Sequence, residues 1–274
     1  MNQRKILRSV FVAVVSAFLV FVFASPMALL LLNSVKNEAE SAVLSFTLPT
    51  EWRFDNYVTV LQTGNVIRSF FNGLLIAGSL TVLTILISSM AAYIIARRAS
   101  RWCTAASTYI LAGMIAPFSF VPAIKLLQIL NLYGSYTGII LIDVALQLPF
   151  TTFMFIGFIR GVPKELDEAA TIDGCGPLRQ FFLVIFPTLK PAIATNVILL
   201  FTAGWNSFQN ILYLMPDSAK WTMPMSVFNF QGLHSFDYGL VCANMVLSIL
   251  PMLAMYIGAQ KYIMKGVMAG SVKG

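Results

Sequence analysis

Few side chains in this 274-residue sequence are of a kind that does chemistry, and their spacing excludes most of the chemistry they might do. The three cysteines, Cys103, Cys175 and Cys242, stand far apart with no CxxC or CxxxH spacing, so they read as free thiols and hold neither a disulfide nor a metal. The single histidine, His234, sits in a polar connection without an Asp/Ser or Cys constellation beside it, which argues against a catalytic role. An intramembrane hydrolase would want two apposed aspartates, a serine with a base, or HExxH, and the apolar runs offer one acid, Asp143. No GxxxxGK[ST] pattern is present, so the chain does not bind ATP in that way.

What remains is polar chemistry without a reaction. Two readings stand for Asp143: with Gln147 one turn on, at i+4, it faces a polar pathway, or it is a paired or hydrated acid near a helix end. The amides Asn72, Asn196, Asn206 and Asn244 suit a polar pathway, because amides hydrogen-bond hydroxyl groups, and equally suit bonds that hold helices together. The third concentration of polar groups is the acid-rich stretch from Glu165 to Asp173.

The elements that position these residues are apolar. Hydrophobic residues make up 58% of the sequence and charged ones 11%, against about 25% charge in an ordinary soluble domain. A membrane span needs about 20 apolar residues, since a helix rises about 1.5 Å per residue through about 30 Å of hydrocarbon. Six stretches qualify, at about 10–32, 70–96, 102–124, 137–159, 191–214 and 238–260. They predict an all-α membrane protein of about six transmembrane helices in a single domain over 1–274. Arg4, Lys5 and Arg8 ahead of the first run resemble a signal-peptide start, but the run is longer than the 7 to 15 residues of a signal core and reads as a retained helix.

Charge sets the expected orientation. With six spans, 13 of the 18 lysines and arginines fall on the side of the amino terminus, and Lys36, Arg53, Arg68, Lys125 and Lys220 fall across from them. The positive-inside rule therefore predicts both termini in the cytoplasm. The net charge of +7 is explained by topology, and a nucleic-acid partner is unnecessary. The segment between the first two runs, with Trp52, Phe54 and Tyr57, is then extracytoplasmic, and 161–190 is the longest cytoplasmic connection.

That connection has the punctuation of a helix from about Pro163 to Asp173. Pro163 suits a first helical position, the acids Glu165, Asp167 and Glu168 suit the positive end of the macrodipole, and Gly174 supplies the left-handed residue that closes a helix. Leu166, Ala169 and Ala170 fall at i, i+3 and i+4 and make a narrow face that lets another surface approach closely. Glu168 and Asp173 put charge at its edge. After Gly176-Pro177 a second helical stretch, Arg179 to Ile185, leads to Pro187 and Pro191.

These residues carry a resemblance. Glu168-Ala169-Ala170, three residues, Gly174, nine residues, then Val184-Ile185-Phe186-Pro187 resembles the EAA loop of ABC-importer permeases, with Val184 and Phe186 as apolar departures from the pattern's Ile and Leu. The string from Glu165 to Gly174 is similar to the carbohydrate-importer branch, in particular the smaller permease of maltose-type importers. So are Asn56-Tyr57, Phe71-Asn72, Tyr93 to Arg97, Leu148-Pro149-Phe150, Gly157-Phe158, Trp205-Asn206, Pro251 and the tail from Lys265 to Gly274. The resemblance implies a permease subunit, not an enzyme, in a bacterial or archaeal cytoplasmic membrane. It implies a second homologous permease, an ATP-binding subunit dimer and an extracytoplasmic substrate-binding protein as partners. ATP and Mg belong to the ATPase, and this chain binds no cofactor. Glu165, Leu166, Glu168, Ala169, Ala170, Asp173 and Gly174 would form the ATPase contact, and Asn72, Asp143, Gln147, Asn206 and Asn244 are candidates to line the pathway. The substrate implied is a sugar or oligosaccharide, with glycerol phosphate or another polyol as the alternative. An ion-coupled secondary transporter would call for paired interrupted spans and intramembrane charge.

Overall fold

The structure, a computed structural model, describes residues 3–230 and 237–271, with side chains described over 9–230 and 237–258. His234 and the last residues of the tail lie outside the described residues. In chain order the helices are α1 (Gln3–Asn33), α2 (Glu38–Ser41), α3 (Asp55–Thr63), α4 (Val66–Arg97), α5 (Arg101–Ile115), α6 (Phe120–Ile129) and α7 (Tyr136–Arg160). They continue with α8 (Glu165–Ile172), α9 (Pro177–Gln180), a π-helical turn (Phe181–Ile185), α10 (Phe186–Thr188), α11 (Lys190–Trp205), α12 (Phe208–Leu214) and α13 (Tyr238–Ser271). No strand occurs among the described residues.

Four helices are long and apolar enough to cross a bilayer: Ser9–Asn33, Val66–Arg97, Tyr136–Arg160 and Tyr238–Gly258. A fifth is reached if Pro177–Thr188 and Lys190–Trp205, bent by 80° at their junction, count as one span. Four of the six predicted runs thus appear as single long helices, and two do not. The run 102–124 breaks into α5 and α6, each too short to cross alone, because Pro117 has no N–H to donate and forces Ala116 into extended backbone at φ −66° and ψ 124°. The run 191–214 breaks after Trp205. Its 16-residue α11 rises only about 24 Å before Asn206 and Ser207 leave the helix and α12 begins.

Internal contacts gather into two compact units, Met1–Ile67 with Ser226–Leu250 and Arg68–Met225 with Pro251–Gly274. In the first, α1 carries Phe11, Phe18, Phe21 and Phe23 almost wholly outward, the distribution of a helix whose solvent is lipid. The segment after α1 is tied down by side chains. Lys36, fully buried, donates to Asn33 Oδ1 (3.1 Å), the Ser45 carbonyl (2.7 Å) and Ser45 Oγ (3.0 Å). Asn56 donates to the carbonyls of Ser34 and Lys36 at 3.0 and 2.9 Å. At the start of α3, Arg53 donates from Nε and Nη2 to the Asp55 carboxylate, and those hydrogen bonds hold the Asp55 carboxyl below its ordinary range.

In the second unit, α4, α7 and α11 pack through small and hydroxyl residues, as membrane helices do when close approach rather than the hydrophobic effect holds them. Gly204 on α11 sits so near α4 that a β-carbon there would stand 2.9 Å from Ala77 Cα. Gly73 accepts the Trp205 ring in the same way, at 3.1 Å. Thr81, Thr84, Ser88 and Ser89 on α4 and Thr151 and Thr152 on α7 are buried, and Ser88 Oγ donates to the Leu148 carbonyl of α7 at 3.4 Å. An apolar cluster of Ile85, Ala92, Phe155, Ile159, Leu189, Ala192 and Leu200 closes the end nearer α8.

Candidate functional site

In the loop between α7 and α11 the first helix falls inside its predicted limits, whereas the stretch expected to be helical from Arg179 to Ile185 begins at Pro177 as α9 and passes at Phe181 into the π turn. α8 opens with Glu165, Asp167 and Glu168 in its first turn. It closes at Gly174, whose φ of +76° is the left-handed region. A β-carbon at Gly174 would meet nothing within 4 Å, so the backbone conformation, not space, calls for glycine. Amides of Asp173, Gly174 and Cys175 return to the carbonyls of Ala169, Thr171 and Ala170 at 2.9 to 3.0 Å and satisfy the helix end. Pro163 lies two residues ahead of the first helical residue rather than at it. α9 then starts with Pro177 at its first position.

α8 has two faces. Outward are Glu165, Leu166, Glu168, Ala169, Ile172 and Asp173, with Ile172 85% exposed, and Leu178 and Leu183 extend the apolar patch beyond the turn. The carboxylates of Glu165, Glu168 and Asp173 bond to nothing among the described residues. Ala170 turns inward and is 4% exposed, so its small side chain admits its own chain, while Ala169 remains on the open face.

Asp167 also turns inward, and sequence reasoning gave it only a part in the first-turn charge. Tyr93 on α4 donates its hydroxyl to Asp167 Oδ1 at 2.7 Å. Arg97 Nη2, one turn on, stands 2.8 Å from Asp167 Oδ2 and donates to the Val162 carbonyl at 3.0 Å. Gln180 on α9 donates Nε2 to the Asp167 carbonyl (2.9 Å) and to Oδ1 (3.4 Å). One carboxylate thus joins α4, α8 and α9. Its sequence signal is faint, since an acid in a first helical turn has a sufficient local reason to be there.

The residues proposed for a pathway are scattered. Asn72 is buried and spent: it donates to the carbonyls of Ala219 (3.1 Å) and Trp221 (3.0 Å) and accepts from Tyr136 OH (2.8 Å). Asp143 is buried and accepts hydrogen bonds from Asn210 on α12 and from Ser207 Oγ (3.4 Å). Asn210 escaped sequence reasoning because it stands 67 residues from its acid, whereas Gln147 is one turn away. Asn244, fully buried in the other unit, accepts from Ser226 Oγ at 3.1 Å, and Asn196 donates to its own helix at Ala192. Gln147 is half-buried, and Asn206 is exposed at the break between α11 and α12. No group of three or more His, Cys, Asp or Glu side chains able to hold a metal occurs among the described residues.

Residues 85–267, which include all of this loop, match the family described as binding-protein-dependent transport system inner membrane component. The chain belongs to that family. Its relatives are permeases. It is 32% identical over 252 residues to the melibiose/raffinose/stachyose import permease protein of Bacillus subtilis, covering 91% of each chain. To the diacetylchitobiose uptake system permease protein of Streptomyces coelicolor it is 33% identical, over 90% of this chain and 83% of the other. To the sulfoquinovosyl glycerol transport system permease protein of Agrobacterium fabrum it is 32% identical, over 91% and 88%. The fold is that of a chain in the crystal structure of a bacterial ABC transporter involved in the import of the acidic polysaccharide alginate, with a TM-score of 0.84 over 96% of this chain and 98% of that one at 20% identity. This inner membrane component is therefore a multi-pass transport subunit, and Asp167, Glu168 and Gly174 lie within its family-defining segment.

Proposed function

We propose that this chain is one of two permease subunits of an ATP-driven importer for a sugar or oligosaccharide, and that the outward face of α8 is where the ATPase docks. The observation that carries the docking is that face itself. Ile172, Leu166 and Leu178 are exposed beside three unbonded carboxylates in the one loop that matches the EAA pattern. Apolar anchors rimmed by charge are the composition of a specific protein contact. The ATPase dimer supplies ATP and Mg, a second homologous permease completes the pathway, and an extracytoplasmic binding protein delivers the substrate. In this reading α5 with α6, and α11 with its bent neighbour, complete six crossings, and both termini face the cytoplasm of a bacterial or archaeal cell.

The substrate class rests on the relatives, which are named for import of melibiose, raffinose and stachyose, for uptake of diacetylchitobiose and for transport of sulfoquinovosyl glycerol. Their common chemistry is a glycosidic sugar dense in hydroxyls. Of the polar residues considered for the pathway, Asn206 and Gln147 keep their amides free for such hydroxyls, and Asn72, Asp143 and Asn244 serve the helix bundle.

The docking is tested by purifying the complex from cells with Glu168→Lys or Gly174→Asp in this chain. Both variants insert in the membrane, and both lose the ATPase subunit or transport without stimulation by the binding protein. Variants that keep the ATPase and full stimulated transport contradict the assignment.

A further inference from the structure

Asp167 stands next to the docking residue Glu168 in sequence and on the other side of the helix in space. Three features set it apart from an ordinary buried acid. It reaches two neighbouring elements, through Tyr93 and Arg97 of α4 and Gln180 of α9. Its ion pair is largely shielded, with the Arg97 and Asp167 side chains 12% and 17% exposed. Apolar packing between α4 and α9 is incomplete beside it: Tyr93 packs on Phe181 at 5.5 Å between ring centroids, but a cavity of about 280 Å³, lined by Met90, Ile94, Leu178 and Phe181 with Tyr93 and Arg97, opens there.

A loop that delivers force to a span needs a stiff attachment to that span. Backbone connection alone runs from α8 to α7 through Gly161, Val162 and Pro163, and to α11 through a π turn, and neither route reaches α4. The polar bonds at Asp167 do. They attach α8 to the last turns of a 32-residue span at Tyr93 and Arg97, four residues apart and so on one face. Arg97 also donates to the Val162 carbonyl, so the same side chain secures the entry to α8.

We propose that Asp167 is a positioning residue: with Tyr93, Arg97 and Gln180 it clamps α8 to α4, so that movement imposed on the docking face is delivered to the α4 span. The clamp rests on the docking reading above and adds the route by which docking acts. Removing the charge with Asp167→Asn keeps the shape and one acceptor, loosens the attachment of α8 to α4 and leaves the outward face intact.

The test is made on the whole complex reconstituted in liposomes with its ATPase and binding protein, with oligosaccharide uptake and ATP hydrolysis measured on the same preparation. D167N and R97Q should retain the ATPase at the wild-type ratio. Their uptake per ATP hydrolysed should fall at least about fivefold, the lower end of the range over which two sites in a protein are coupled. D167E should recover part of the loss. The D167N/R97Q double variant should be little worse than either single one, since both remove the same link. A wild-type ratio in D167N overturns the clamp, and so does loss of the ATPase from D167N complexes. If wild-type complex itself shows no ATP-driven uptake, the docking reading has failed, and that result is distinct from either of these.

Discussion

Asp167 and Glu168 show how much one residue of helical phase decides. Successive positions on a helix are separated by about 100°, so one step along the sequence can carry a side chain from the outward face to the inward one. Glu168 faces outward with a free carboxylate, and Asp167 faces inward among a tyrosine, an arginine and a glutamine. The same reasoning separates the amides. Asn72 uses both ends of its side chain, and Asn72→Leu would leave the Ala219 and Trp221 carbonyls and the Tyr136 hydroxyl without their partner. An unsatisfied buried polar group costs about 1 to 3 kcal/mol. Thermal unfolding in detergent should show N72L clearly destabilised, while Asn206→Ala, at an exposed site, unfolds as wild type and alters substrate handling. Equal stability of the two variants would contradict the division of the amides into structural and free.

At the scale of elements, the runs of apolar residues told where helices lie more faithfully than how far they continue. Hydropathy counts residues, so it passes through Pro117 and Asn206-Ser207, where the backbone leaves the helix. The EAA-like loop was legible for a different reason: its boundaries are set by local signals, the first-turn acids, Gly174 at φ +76° and Pro177 at the start of α9. What no local signal could give were the partners across space, Tyr93 and Arg97 for Asp167 and Asn210 for Asp143. Glycines make the same point. Gly204 is required by the close approach of α4, and forcing extra volume into a well-packed site costs about 1 to 3 kcal/mol. Gly204→Ala should lower the unfolding temperature, and Gly157→Ala, where a β-carbon meets nothing within 4 Å, should not. If the two substitutions behave alike, the tight contact of α11 on α4 is not what holds this unit.

For the whole molecule, the outward apolar surface of α1 and the family match over residues 85–267 describe a membrane component of a transport system. In the proposed reading its lysines and arginines orient it, its α8 face meets an ATPase and its clamp carries motion to α4. The central claim is that ATP hydrolysed elsewhere drives a sugar through this chain by way of α8. Uptake of a labelled oligosaccharide into proteoliposomes holding the complete complex tests it directly. The account predicts uptake that needs ATP, the ATPase subunit and the binding protein together and that Glu168→Lys abolishes. Uptake that persists without the ATPase subunit, driven by an ion gradient, would contradict it.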